Sequence, residues 1–160
     1  MTGDDQFDRT DLRLLAEIQQ HGRATNAELA ARVNLSPSAC LRRVQRLESE
    51  GVIAGYGARL EPHRIGLGLQ AFVRVQLEKH DQHAIGVFAD SVVEWDEVVA
   101  CHALTGDMDY LLQVYVRDLA HFSSFLLDKL LNAAGVADVN SSFVLRTVKE
   151  FRALPLSQLE

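Results

Sequence analysis

Cysteine is scarce: Cys40 and Cys101 are the only two in 160 residues, and neither belongs to a CxxC pair. A disulfide framework is therefore excluded, and a reducing cytoplasm is the expected setting. Three prolines and ten glycines are too few for collagen-like or low-complexity chains. No apolar run approaches the roughly 20 residues that span a bilayer, so no membrane partner is expected. The opening MTGDDQFDRTD is acidic and lacks an apolar core, so no secretory leader is expected either. Against these absences stands a hydrophobic content of 48%, which excludes pervasive disorder and predicts one ordinary domain or two small ones.

Net positive charge is also missing, since the chain carries −6, which at first sight disfavours nucleic acid. The deficit is unevenly spread. Residues 1–60 hold eight basic and eight acidic side chains, whereas residues 61–160 hold eight and fourteen. Between Glu28 and Glu48 there is no acid, while Arg32, Arg42, Arg43 and Arg46 all fall there. Phosphate responds to that local excess of four positive charges rather than to the overall balance.

Helix signals crowd the same region. Asp8 can cap a first helix, with Asp11 three residues on and Leu12, Leu15 and Ile18 on one stripe. Gly22 closes it. Thr25 and Glu28 form a capping box for a short second helix with Leu29, Ala30 and Val33 inward. Asn34-Leu35 makes a tight connection, and Ser36-Pro37 restarts the chain as cap and first helical residue. The third helix runs from about Pro37 to Glu50, stopped by Gly51. Two helices joined so closely, the second one basic, are the helix-turn-helix arrangement. On the third helix Cys40, Val44 and Leu47 should face inward. Ser36, Ser38, Ala39, Arg42, Arg43 and Arg46 are left as candidate contacts to double-stranded DNA: small residues near base edges, arginines on guanines or phosphates. A basic helix face is usually only solvated, but capping, restart and missing acid agree here. Val52 to Leu60 is expected as a short strand or wing, and residues 61–68 as a linker.

The remainder alternates strands and helices. Leu69 to Glu78 places Leu69, Ala71, Val73, Val75 and Leu77 on one face. A helix over about 82–93 carries Ile85, Phe88, Ala89 and Val92. Strands follow at Val98–Leu104 and Tyr110–Val116, then a helix capped by Asp118, then a strand over about Val139–Phe151. This βαββαβ order is the ferredoxin-like plan, giving an α+β chain with a DNA-binding domain at 1–60 and a second domain at 69–160. Phe72, Leu111, Phe143 and Leu145 are expected on the face away from the helices, which predicts burial by a second copy.

The motifs Ser36-Pro37-x-x-Cys40-Leu-Arg-Arg-Val44 and Arg46-Leu-Glu-x-x-Gly51-Val-Ile resemble the Lrp/AsnC family, the feast/famine transcriptional regulators. Asp8-x-x-Asp11 and Cys101-His102 leading into Thr105-Gly106-Asp107-Met108-Asp109-Tyr110 extend the resemblance over nearly the whole chain. It implies a winged helix-turn-helix domain and an α/β effector domain often called RAM. It further implies regulation of amino-acid metabolism, homodimers assembling into octamers, and an amino acid as effector in place of any cofactor. By motif position, Ala103, Gly106, Asp107 and Asp109 would line the effector pocket, and Ser142 corresponds to a response position.

The residues themselves leave two readings of that turn. Gly and Asp are ordinary turn formers; they also offer backbone N–H groups and carboxylates to a free amino acid. The lack of a basic residue nearby, with Ala103 and Leu104 adjacent, points to an apolar side chain such as leucine or methionine. Two other classes compete with a regulator. A small-molecule-binding assembly protein without DNA binding would not need the N-terminal helices. An enzyme or metal site at Asp107, Asp109, His102 and Cys101 is disfavoured because Cys101 and His102, adjacent on a strand, point to opposite faces.

Overall fold

A computed structural model describes residues 7–78 and 82–159, without the side chains of Gln82 and His83. Contacts divide the chain into two compact units. One comprises residues up to Arg59 together with Lys149 onward, and the other spans Leu60–Val148. Residues 149–159, expected within the second domain, thus join the N-terminal unit.

In the first unit, helices α1 (Arg9–Gln20), α2 (Asn26–Val33) and α3 (Pro37–Ser49) begin where their caps predict. Asp8 and Asp11 form a reciprocal capping box, as do Thr25 and Glu28. Each satisfies N–H groups that the first helical turn leaves without partners. Between α2 and α3 the backbone reverses at Asn34, whose φ of 57° is left-handed, a conformation Asn tolerates better than most residues. Leu14, Ile18, Leu29, Ala30, Val33, Cys40 and Leu47 make the core. Residues 52–60 pair with no strand among the described residues. Val52 and Ile53 instead donate their N–H groups to the Leu47 carbonyl, and the Tyr56 hydroxyl donates to Glu48 Oε1 at 2.8 Å. Burial, aided by Glu48, pushes the Tyr56 phenol up to about 12.

The second unit is a four-stranded antiparallel sheet in the order β2-β3-β1-β4. Its strands are β1 (Leu69–Leu77), β2 (Val98–Ala103), β3 (Tyr110–Val116) and β4 (Val136–Phe143). Helix α4 (Gln82–Val93) follows β1, and α5 (Leu119–Ser124) follows β3, continuing as a wider π turn over Phe125–Leu130. Ala71, Val73, Val75 and Leu77 of β1 and Tyr110, Leu112, Val114 and Val116 of β3 form one buried face with Phe88, Phe122 and Phe125. Phe88 lies 4.8 Å from the Tyr110 ring. Among the described residues no helix is long and apolar enough to cross a membrane.

Two expectations need correction. The last strand ends at Phe143 rather than Phe151. Past Phe143 the Val144 N–H still reaches β1, donating to the Gln70 carbonyl at 2.9 Å, but β1 begins at Leu69 and is too short to pair with residues as far as Phe151. Leu145 lies beyond it, almost fully exposed. Phe143 pairs with Ala71 and meets the Phe122 ring edge-on at 5.0 Å, so it belongs to the helix side of the sheet. Opposed residues of an antiparallel pair share a face, and the register with β1 sets which face that is.

Candidate DNA-reading helix and effector turn

The geometry of α3 begins at its cap. The Ser36 hydroxyl accepts from the Ala39 N–H at 3.3 Å and lies 3.3 Å from the Ser38 hydroxyl. Asn26 Nδ2 donates to the Pro37 carbonyl at 2.7 Å, tying the start of α2 to the start of α3. Sequence reasoning missed Asn26, since nothing local pairs residues 26 and 37. Cys40 is fully buried, and burial pushes its thiol up, as suits a small core residue.

The four arginines of the acid-free stretch have separate environments. Arg32 lies 3.5 Å from Glu17 of α1. Arg43 Nη1 donates to Asp8 Oδ2 and Asp11 Oδ1, both at 2.8 Å. Arg46 Nη2 donates to Asp11 Oδ2 at 2.6 Å, with Glu50 at 4.0 Å on its other side. The Asp11 side chain is only 3% exposed. Hydrogen bonds from Arg43 to Asp11 and Asp8, and from Arg46 to Asp11, raise both guanidinium pKa values further. Arg42 is exposed and has no acidic partner among the described residues. Ser38 is exposed beside it, and Ala39 is half-buried.

The effector candidates occupy the other unit. Ala103 ends β2 opposite Tyr110, and Gly106 and Asp107 are exposed in the following turn. Gly106 adopts φ 117°, a region open to glycine and strained for other residues. Asp109 is held at three points: its carbonyl accepts from the Leu104 N–H at 2.8 Å, and its own N–H donates to the Val75 carbonyl at 2.9 Å. Its Oδ2 accepts from the Leu77 N–H at 2.7 Å. The aspartate thereby secures the turn to the end of β1, a contact invisible in the sequence. Ser142 lies opposite Phe72 on β4, at the far edge of the sheet from β2 and on the face away from the helices. One copy of the chain therefore brings Ala103, Gly106, Asp107 and Asp109 together and leaves Ser142 apart.

That open face carries Phe72, Leu111 and Tyr115, with Arg74 opposite Leu111 and donating to Asn140 Oδ1 at 2.9 Å. Cys101 lies opposite Leu112 and His102 opposite Leu111, so the two point to opposite faces. Among the described residues no group of three or more His, Cys, Asp or Glu could hold a metal ion.

A basic second helix in a helix-turn-helix unit, followed by an α/β unit with a glycine turn between β2 and β3, defines a DNA-binding transcriptional regulator with a ligand-binding domain. Residues 7–54 match the family model for winged helix-turn-helix DNA-binding, and residues 70–154 that for the Lrp/AsnC ligand binding domain. The chain is 40% identical over 151 residues to the Bkd operon transcriptional regulator of Pseudomonas aeruginosa, covering 94% of this chain and 99% of that protein. Identity to the leucine-responsive regulatory protein of Escherichia coli K12 is 40% over 148 residues, covering 92% and 90% respectively. A transcriptional regulator of Neisseria meningitidis, crystallised as a complex with L-Met, superposes with a TM-score of 0.93 at 48% identity, covering 97% of this chain and all of that one. The chain belongs to the Lrp/AsnC family of transcriptional regulators, which are not enzymes.

Proposed function

We propose that the chain controls genes of amino-acid metabolism by binding double-stranded DNA through α3, in response to a bound amino acid. The observation that carries the DNA reading is the exposed edge of α3, where Arg42 stands beside Ser38 without an acidic partner among the described residues. Ala39 adds a small surface for close approach, and Ser36 holds the helix start in place. Arg42 suits a guanine edge or a phosphate, and the small residues suit close approach to base edges.

For the effector, the L-Met complex of the Neisseria meningitidis relative supports a free amino acid with an apolar side chain, methionine or leucine. Its ammonium would be met by Asp107 or Asp109 and its carboxylate by N–H groups of the Ala103–Gly106 segment. Ser142 joins such a pocket only from a second copy, which makes self-association into dimers and then octamers part of the proposal. Phe72, Leu111 and Tyr115 on the open sheet face are the apolar groups that a second copy would cover. The setting is cytoplasmic. Effector moves DNA affinity only as far as it binds assembly states unequally, typically about 1–3 kcal/mol or roughly 5- to 150-fold.

The test is electrophoretic mobility shift on the DNA upstream of the chain's own coding sequence, with and without methionine or leucine. A shift whose midpoint moves with one amino acid supports the reading. A shift indifferent to all twenty removes the effector half, and no shift at all removes the DNA half.

A further inference from the structure

We infer that Asp11 is a specificity-determining positioning residue, which withholds Arg43 and Arg46 from the DNA backbone and leaves Arg42 to act. The inference rests on the reading of α3 as the DNA-facing helix. Of the four arginines in the acid-free stretch, Arg32, Arg43 and Arg46 are paired in the folded chain, and Arg42 has no acidic partner among the described residues. The acids come from α1 and its cap. Asp11 accepts from both Arg43 and Arg46, at 2.8 and 2.6 Å. Asp8 adds a second acceptor for Arg43 at 2.8 Å.

Burial decides how firmly these arginines are held. An exposed carboxylate would compete poorly with a phosphate, because water and salt screen it. Asp11 is almost wholly covered, so a departing arginine leaves a charge behind that water cannot reach. Its two oxygens are divided between the two guanidinium groups, one each. Asp8 and Asp11 are also mutual cap partners, which fixes both carboxylates at the start of α1. Arg43 and Arg46 are thereby committed to α1, and the orientation of α3 is set by the same contacts.

The consequence concerns selectivity. Every arginine on a phosphate adds affinity for any sequence and steepens the salt dependence. Selectivity is the ratio of specific to non-specific binding. An acid that holds two arginines of the helix back from phosphate lowers the sequence-independent part and leaves the base-directed part to Ser38, Ala39 and Arg42.

The experiment measures binding against salt for two duplexes, the region upstream of the coding sequence and sheared genomic DNA. Asp11→Asn keeps the shape and removes the charge. The expected result is tighter binding to genomic DNA, a slope of log affinity against log salt steeper by about 0.9 for each arginine released, and a smaller ratio between the duplexes. A residue with a merely structural role would weaken both and leave the slope unchanged, and that result overturns the inference. Should Asp11→Asn fail to fold by circular dichroism, Arg43→Ala and Arg46→Ala decide the matter, since each leaves Asp11 one arginine. Both should leave the salt slope as it is. A slope flattened by about 0.9 in either means that arginine already touches phosphate, and the inference falls. Arg42→Ala tests the underlying reading separately: if it changes neither affinity nor slope, α3 has been given the wrong DNA-facing edge, whatever Asp11 does.

Discussion

Gln19 on α1 and Leu154 near the end of the chain hold each other by two hydrogen bonds. The Leu154 N–H donates to Gln19 Oε1 at 2.6 Å, and Gln19 Nε2 donates to the Leu154 carbonyl at 3.4 Å. Both also line a cleft of about 280 Å³, together with Leu12, Ala16, Ala153 and Leu156 among others. Arg59 and Glu150, 3.3 Å apart, make a second link from the same segment. The C-terminal stretch is thus part of the unit that carries α3. Gln19→Ala should lower that unit's stability by about 1 kcal/mol, the usual worth of a hydrogen bond. Chemical denaturation followed by circular dichroism measures this, and an unchanged midpoint would mean the segment contributes nothing.

Asp109 allows a sharper separation of roles than most turn residues. Asp109→Asn retains an oxygen to accept from the Leu77 N–H while losing the charge an ammonium needs. Folding and DNA binding should persist, and calorimetry should show amino-acid binding weakened by about 1.5–3 kcal/mol. Asp109→Ala removes the Leu77 contact as well, so its melting temperature should fall. Equal effector binding by Asp109→Asn and the unmodified chain would make the aspartate purely a fastening for β1.

Phe72 and Phe143 are expected to respond differently, since they lie on opposite faces of the sheet. Phe72→Asp charges the open face and should reduce self-association in sedimentation with little change in folding. Phe143→Asp breaks the edge contact with Phe122 and should cost stability of about 1–2 kcal/mol before it affects assembly. Assembly lost in Phe143→Asp at unaltered stability would reverse this assignment.

Acid should loosen both units through carboxylates that folding keeps ionised. In the first, the backbone N–H of Asp11 and then Arg43 hold the Asp8 carboxyl below its ordinary range. In the second, burial pushes Glu97 up, but Lys129, 2.8 Å from both its oxygens, together with His121, brings it below the usual value. A depressed folded pKa means stabilisation that is complete above the unfolded value of about 4. It fades as pH falls through the folded value. Melting temperature should therefore be level near neutrality and drop below about pH 4. Glu97→Gln should remove part of that drop, and an identical pH profile would show that the Lys129 pair is energetically silent.

The helix starts were legible because capping acts over three residues. Asp8 with Asp11, Thr25 with Glu28 and Ser36 with Ala39 needed no knowledge of the rest of the chain. The turn at Gly106 was similarly visible, as was the divergence of Cys101 and His102, which follows from the pleat alone. The placement of Phe143 was not legible, because alternation fixes which residues share a face but not which face meets the helices. A shift of one residue in the pairing with β1 would have put Phe143 outside. Residues 52–60 have strand-like composition, yet a strand needs a partner, and none of the described residues pairs with them.

By itself the sequence determined the helix-turn-helix unit, the βαββαβ order and the family, since caps, periodicities and motifs are local properties that survive any packing. Tertiary structure alone decided the charge that α3 presents. Read along the chain, Arg32, Arg42, Arg43 and Arg46 make one basic patch; folded, Glu17, Asp8 and Asp11 of the α1 region reach three of them. Ion pairs form between side chains close in space, and residues 11 and 46 become neighbours only when α1 and α3 pack on a common core. The Gln19–Leu154 contact, across 135 residues, is likewise one that no local rule could have supplied.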